Sequence, residues 1–148
     1  MRRHVLVVAA AACMTQAAAA AVLQVDCPPL VQSGFVPAPG FPFEIITRER
    51  GAPAPAAGPA TVHPLNGVQV YAGHPRDMAS LVPDEDKPLS NGARESVWRL
   101  TGNHWVGCSY PGASLVLARP LPASATECRA SYRVTRGVVR VTAFACRG

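Results

Sequence analysis

From Cys128 onward the chain alternates cleanly: Cys128, Ala130, Tyr132 and Val134 fall on one side, and Arg129, Ser131 and Arg133 on the other. A period of two marks a strand with one buried face. Arg136-Gly137 interrupts the pattern, and Val138-Val139-Arg140-Val141-Thr142-Ala143-Phe144-Ala145-Cys146 follows, which predicts a C-terminal hairpin. Upstream, the strand-like stretches 97–100 and 104–110 are separated by Thr101-Gly102-Asn103, the length of a second hairpin turn. Pro111-Gly112 then leads into another apolar stretch, 113–118. Val68 and Val70 alternate with Gln69 and Tyr71 after Asn66-Gly67, and Phe43-Glu44-Ile45 gives one short strand. These pieces predict a mainly β fold: a small antiparallel β-barrel or sandwich built as a meander.

Only residues 73–83 read as helix. Pro75 suits the first helical position, where the missing N–H has no partner anyway, and Asp77 in the first turn favours the positive end of the helix dipole. Met78, Leu81 and Val82 would share a face, and Pro83 would end the helix. Elsewhere the chain is punctuated. Pro28, Pro29, Pro37, Pro39 and Pro42 impose an extended path on the N-terminal arm. Residues 51–64, rich in Ala and Pro, carry no large apolar side chain but Val62, so burial cannot offset their ordering entropy and a mobile surface loop is expected. Asp84, Glu85 and Asp86 open an exposed acidic connection that ends at Ser90-Asn91-Gly92.

The first 21 residues differ from all this. Met1-Arg2-Arg3-His4, an apolar run from Val5 to Met14 and an alanine tract ending Ala19-Ala20-Ala21 have the form of a secretory signal peptide. Cleavage there leaves a single domain, residues 22–148, of about 127 residues, long enough for a modest core. It also turns five cysteines into four, Cys27, Cys108, Cys128 and Cys146, and an even set in an exported domain reads as a disulfide framework. Four cysteines allow three connectivities. A hairpin turning at Arg136-Gly137 sets Cys128 opposite Cys146 to within one residue, which favours that bridge and leaves Cys27 with Cys108. No second apolar run of about 18 residues is present, so a periplasmic or secreted soluble product is expected. Cys13 offers an alternative as a lipoprotein acylation site that would anchor the protein, although Ala10 stands where such sites want leucine.

Charge adds a possible partner class. Residues 22–86 hold three arginines against seven acids, and residues 87–148 hold nine Lys/Arg against two acids. A basic C-terminal half suits an anionic envelope component such as lipopolysaccharide, or an acidic face of a periplasmic protein, better than nucleic acid in an exported chain. If Arg129 and Arg133 face outward with Arg140, Arg119 and Arg136 nearby, they form a basic stripe, and Trp98 and Trp105 would supply its aromatic neighbours. The plainer account is that outward arginines keep strands from pairing with other chains.

Catalytic patterns are weak by comparison. Gly107-Cys108-Ser109-Tyr110-Pro111 begins like a nucleophile elbow, but Pro111 takes the place of its last glycine. His63, His74 and His104 are scattered, and His104 near Cys108 lacks the further ligands a metal needs. No cofactor or metal site is expected. Two functions remain: a non-enzymatic binding or accessory module of the envelope, which is favoured, and a small hydrolase with its active residues in loops. A pocket that joined Ser109 or His104 to an acid would favour the hydrolase.

Cys27-Pro28, Tyr71-x-Gly73-x-Pro75 running on to Leu81-x-Pro83, Trp98, Cys108-x-Tyr110 and the last two cysteines together resemble an uncharacterised family of short exported proteobacterial proteins named after a Salmonella locus. The similarity spans most of residues 25–147. Gly112-Ala113-Ser114 departs from the Gly-Thr that family tends to have after its Cys-x-Tyr, and the Ala/Pro run looks like an insertion. The resemblance implies export and a cysteine framework. It carries no activity, ligand or catalytic residue.

Overall fold

The computed structural model describes residues 21–47, 61–110, 112–113 and 115–148. Residues 1–20 of the signal segment, Cys13 among them, and the 51–60 part of the Ala/Pro run lie outside them. Eleven strands are formed: β1 (Val22–Gln24), β2 (Leu30–Gln32), β3 (Glu44–Thr47), β4 (Val62–Pro64), β5 (Gly67–Ala72), β6 (Glu85–Pro88), β7 (Ala93–Arg99), β8 (His104–Tyr110), β9 (Leu115–Pro120), β10 (Glu127–Thr135) and β11 (Val138–Arg147). A five-stranded antiparallel sheet runs β1-β11-β10-β7-β6, a four-stranded one β3-β9-β8-β5, and β2 pairs with β4. Val68, Val70, Val106, Cys108 and Leu117 of the second sheet share one core with Trp98, Cys128, Ala130, Phe144 and Cys146 of the first. The fold is therefore a sandwich, with its inner faces set by the alternation seen along each strand.

The strands do not run as a simple meander. β6–β7, β8–β9 and β10–β11 are hairpins, and the chain changes sheet between them. Residues 97–100 and 104–110 accordingly do not form the expected hairpin. β7 lies between β6 and β10, and β8 between β5 and β9, so neither has an edge left for the other. Thr101-Gly102-Asn103 instead carries the chain across the core, with Leu100 buried at the crossing and its N–H bonded to Thr126 O. A three-residue connection serves a hairpin or a crossing equally well, and occupation of both edges of β7 and of β8 decided for the crossing.

The predicted helix shrinks to one 3-10 turn, Pro75–Asp77. It starts as expected: Nδ1 of His74 accepts from the Arg76 N–H at 3.1 Å, and Pro75 holds the first position. Met78 then turns left-handed at φ 58° and ends it. Residues 79–81 run extended along the edge of β5, where Leu81 N–H donates to Val70 O and Ala72 N–H to Ala79 O, each at 2.8 Å. Edge hydrogen bonds that water would otherwise satisfy win over a helix of two turns, and Met78 and Val82 stay exposed. The end of the Ala/Pro run also differs from expectation. Val62, His63 and Pro64 pair with Gln32, Val31 and Leu30, so this end of the loop is a strand.

Both bridges form in the favoured connectivity. Cys128 faces Cys146 directly across the β10–β11 ladder with Cα atoms 4.0 Å apart, and Cys27 joins Cys108 at 5.9 Å. The second bridge pins the proline-rich arm to the middle of β8. Tyr110 adds to it by donating its hydroxyl to Pro28 O at 2.7 Å, and burial pushes that phenol's pKa well up. Among the described residues no helix is long and apolar enough to cross a membrane.

Candidate interaction surface

The arginines singled out from sequence fall into three groups. Arg129 projects from the outer face of β10, as its alternation with Cys128 and Ala130 requires, but it is not free. Its Nε donates to Glu127 at 2.8 Å and its Nη1 to Glu95 at 3.3 Å. Arg147 joins the same Glu127 at 3.0 Å. Arg99 pairs with Glu85, Arg94 with Asp86, and Lys87 lies between Glu85 and Glu95. The acidic connection thus folds back as β6 and neutralises this part of the sheet, so the expected stripe is interrupted at Arg129. Arg119 lies in the other sheet with its guanidinium 5.8 Å from the Phe43 ring centroid.

Hydrogen bonds from Arg129 to Glu127, from Arg99 to Glu85 and from Arg94 to Asp86 hold these carboxyls below their ordinary range. A depressed folded-state pKa contributes stability that is present above the unfolded value, near 4 for these groups, and is lost as pH falls through the folded value. The melting temperature is therefore expected to hold steady above about pH 5 and fall below about pH 4. Glu127→Gln should flatten that acid limb in a thermal titration, and an unchanged limb would show that the cluster does not set it.

The tryptophans do not flank the arginines. Trp98 is 2% exposed, stacks edge-on against Phe144 at 6.3 Å and donates its indole N–H to Leu81 O at 3.2 Å. The cause is register: Trp98 sits opposite Cys128, on the inner face of β7. Trp105 lies in the other sheet, packed with Ile46, Val116 and Ala118 and 4.5 Å from the His74 ring. That sheet's outer face also carries an open groove of about 900 Å³, floored by Gln69, Tyr71, Ser109 and Val116.

Arg133, Arg136 and Arg140 stay together at the end of the β10–β11 hairpin, where none makes an ion pair with a described residue. The ladder to β7 ends at Arg133–Ala93, so residues 134–139 continue as a two-stranded ribbon. Arg136 and Gly137 both have positive φ, 51° and 77°, as a two-residue turn that matches strand twist requires. A bulge shifts the register between Ser131 and Tyr132, after which Val134 faces Val139 and Arg133 faces Arg140. One side of the ribbon therefore carries Val134 and Val139, and the other Arg133 and Arg140 together with Thr135 and Val138. Val134, Val138 and Val139 are 40%, 53% and 36% exposed, large values for β-branched residues in a strand. Sequence alternation assigned Val134 to the core. It missed that β10 and β11 outrun β7, a difference readable from the length of the alternating runs.

Ser109 and His104 do not converge on an acid. Five residues apart on β8, they point to opposite faces, and the His104 Nδ1 lies 3.1 Å from Gly102 O. Among the described residues no group of three His, Cys, Asp or Glu side chains could hold a metal.

No curated protein and no solved structure matches the chain. A family model does, that of the type VI secretion system Tli immunity protein, over residues 58–147. The match takes in β4 through β11 and three of the four bridged cysteines, leaving out the arm with Cys27. It covers more than half of the 148 residues, and the chain thus belongs to the type VI secretion system Tli immunity protein family.

Proposed function

We propose that this chain is a periplasmic immunity protein that binds a secreted effector protein and blocks it, with no chemistry of its own. The observation that carries this reading is the family match across β4 to β11, which includes all strands of the two sheets but β1 and β3. Three features support it. Two disulfides suit an oxidising compartment. They also hold the strands that present the surface, which lowers the entropy lost on binding. Unpaired arginines at one end of the five-stranded sheet favour an acidic partner, because opposite charge speeds encounter and disfavours wrong partners. A hydrolase would need Ser109 or His104 beside an acid, and the two point to opposite faces of β8.

The test is co-production, in the periplasm of a recipient cell, with each effector that the same genome sends through its type VI system. Survival with one effector, together with a stable complex of the two purified proteins, is the expected outcome. The chain made without residues 1–21 should stay in the cytoplasm and give no protection. Death with every effector, or survival without a complex, would refute the reading.

A further inference from the structure

We infer that the tip of the β10–β11 hairpin, residues 133–140, enters the effector, and that its seat is an apolar cleft rimmed by carboxylates. The inference rests on the immunity reading and names the surface that reading leaves open. Reach is the first ground. At about 3.3 Å per residue, the chain beyond the last pair with β7 extends roughly 10 Å past the sheet. A ribbon of that length and the width of two strands suits a concave site better than a flat one.

The second ground is a charge arrangement that folding does not favour. Arg133 and Arg140 stand directly opposite each other on one side of the ladder, with Arg136 at the turn between them. Like charges opposed across a ladder are destabilising. Arg94, Arg99, Arg129 and Arg147 of the same sheet each have an acid partner, so the chain had acids to spend and placed none here. Carboxylates on a partner would relieve that repulsion, and Arg suits them because its planar fork takes both oxygens at once.

Apolar surface is the third. Val134 and Val139 pair on the side opposite the arginines and continue the line of Tyr132 and Val141, which pack against the core. They are exposed only because the ribbon overhangs. A cleft with an apolar floor and an acidic rim matches both faces. The hairpin is also held in shape. Its base is bridged by Cys128–Cys146, and Gly92 backs it so closely that a Cβ there would lie 2.8 Å from Val134 O. A preorganised tip loses little freedom on docking.

Protection of the open β11 edge against aggregation would also place arginines here, but that duty is indifferent to the sign of the charge. The Arg133→Glu, Arg136→Glu, Arg140→Glu triple variant separates the two. It is expected to remain folded, with all four thiols oxidised, and to bind the effector at least about a thousandfold more weakly, since reversing a charge at a paired contact costs more than removing it. The Lys triple variant should retain part of the affinity, and Val134→Ser with Val139→Ser should weaken binding at unchanged charge. Association of the wild-type chain should slow about tenfold as salt rises from low to high. If the Glu variant binds the effector as tightly as wild type, the hairpin is not the docking element, although the immunity reading stands. If the wild-type chain binds no effector, the immunity reading itself fails. If wild type sediments with anionic phosphatidylglycerol vesicles and the Glu variant does not, while both bind the effector equally, the tip is a membrane contact and the inference is overturned.

Discussion

Removing the Cys27–Cys108 bridge, by changing both cysteines to alanine, is expected to lower stability more than removing Cys128–Cys146. The two differ in what they restrain once the chain unfolds. Cys27 and Cys108 are 81 residues apart and Cys128 and Cys146 are 18 apart. On loop-closure entropy the long bridge contributes about 4.5 kcal/mol and the short one about 3. A domain of this size has only about 5–15 kcal/mol in all, so loss of the long bridge should lower Tm by about 15 °C or more. Contacts limit the damage to the native fold. Val25 and Val31 are buried, Val25 N–H donates to Phe144 O, and Leu65 N–H donates to Pro29 O. The arm should therefore stay docked in the native state and loosen first as denaturant rises. Equal losses from the two double variants in guanidinium unfolding would show that the entropic account does not hold here.

The pairing of the cysteines was legible because it depends on one turn. Once Arg136-Gly137 is placed, the hairpin brings Cys128 to within one residue of Cys146, and a bulge in β11 at Thr142 supplies that last step. Sheet membership is not legible in that way. The turn 101–103 looks the same whether it joins two strands of one sheet or crosses the core, and only the competition of β5, β6, β9 and β10 for the edges of β7 and β8 decides. Propensity misled at residues 78–82 for a similar reason: a free strand edge offered more hydrogen bonds than a short helix. The basic surface was half legible. Outward alternation found Arg129 and Arg133 alike, but whether an arginine is neutralised depends on which strand lies next to it. Glu95 and Glu127 reach Arg129, and among the described residues no acid pairs with the arginines of the overhanging ribbon. The resemblance to exported proteins carried no activity, and only the family match joins the fold to a role.

Trp98 marks the boundary between surface and core, and its replacement by alanine carries the other large expected effect. In sequence it stands next to Arg99, in a half of the chain dense with arginine, which invites reading it as a binding aromatic. Register places it opposite Cys128, with Phe144 against its ring and Leu81 O on its indole nitrogen. Trp98→Ala would open a cavity at the centre of the sandwich and remove one of the two donors to Leu81 O, which keeps Gln69 Nε2 at 2.6 Å. The expected cost is about 3–5 kcal/mol. Trp98→Phe should lose less, since most of the volume is kept and only the hydrogen bond goes. Trp105→Ala, on the outer face of the other sheet, should cost under half as much as Trp98→Ala, because that ring is only partly buried. Binding supplies the contrast with stability. Measured under conditions where each variant is fully folded, affinity for the effector should be unchanged by Trp98→Ala and collapse with charge reversal at Arg133, Arg136 and Arg140. A Trp98→Ala protein with wild-type stability and weakened binding would place the indole on the contact face, and the register of β7 against β10 would then have to be shifted by one residue.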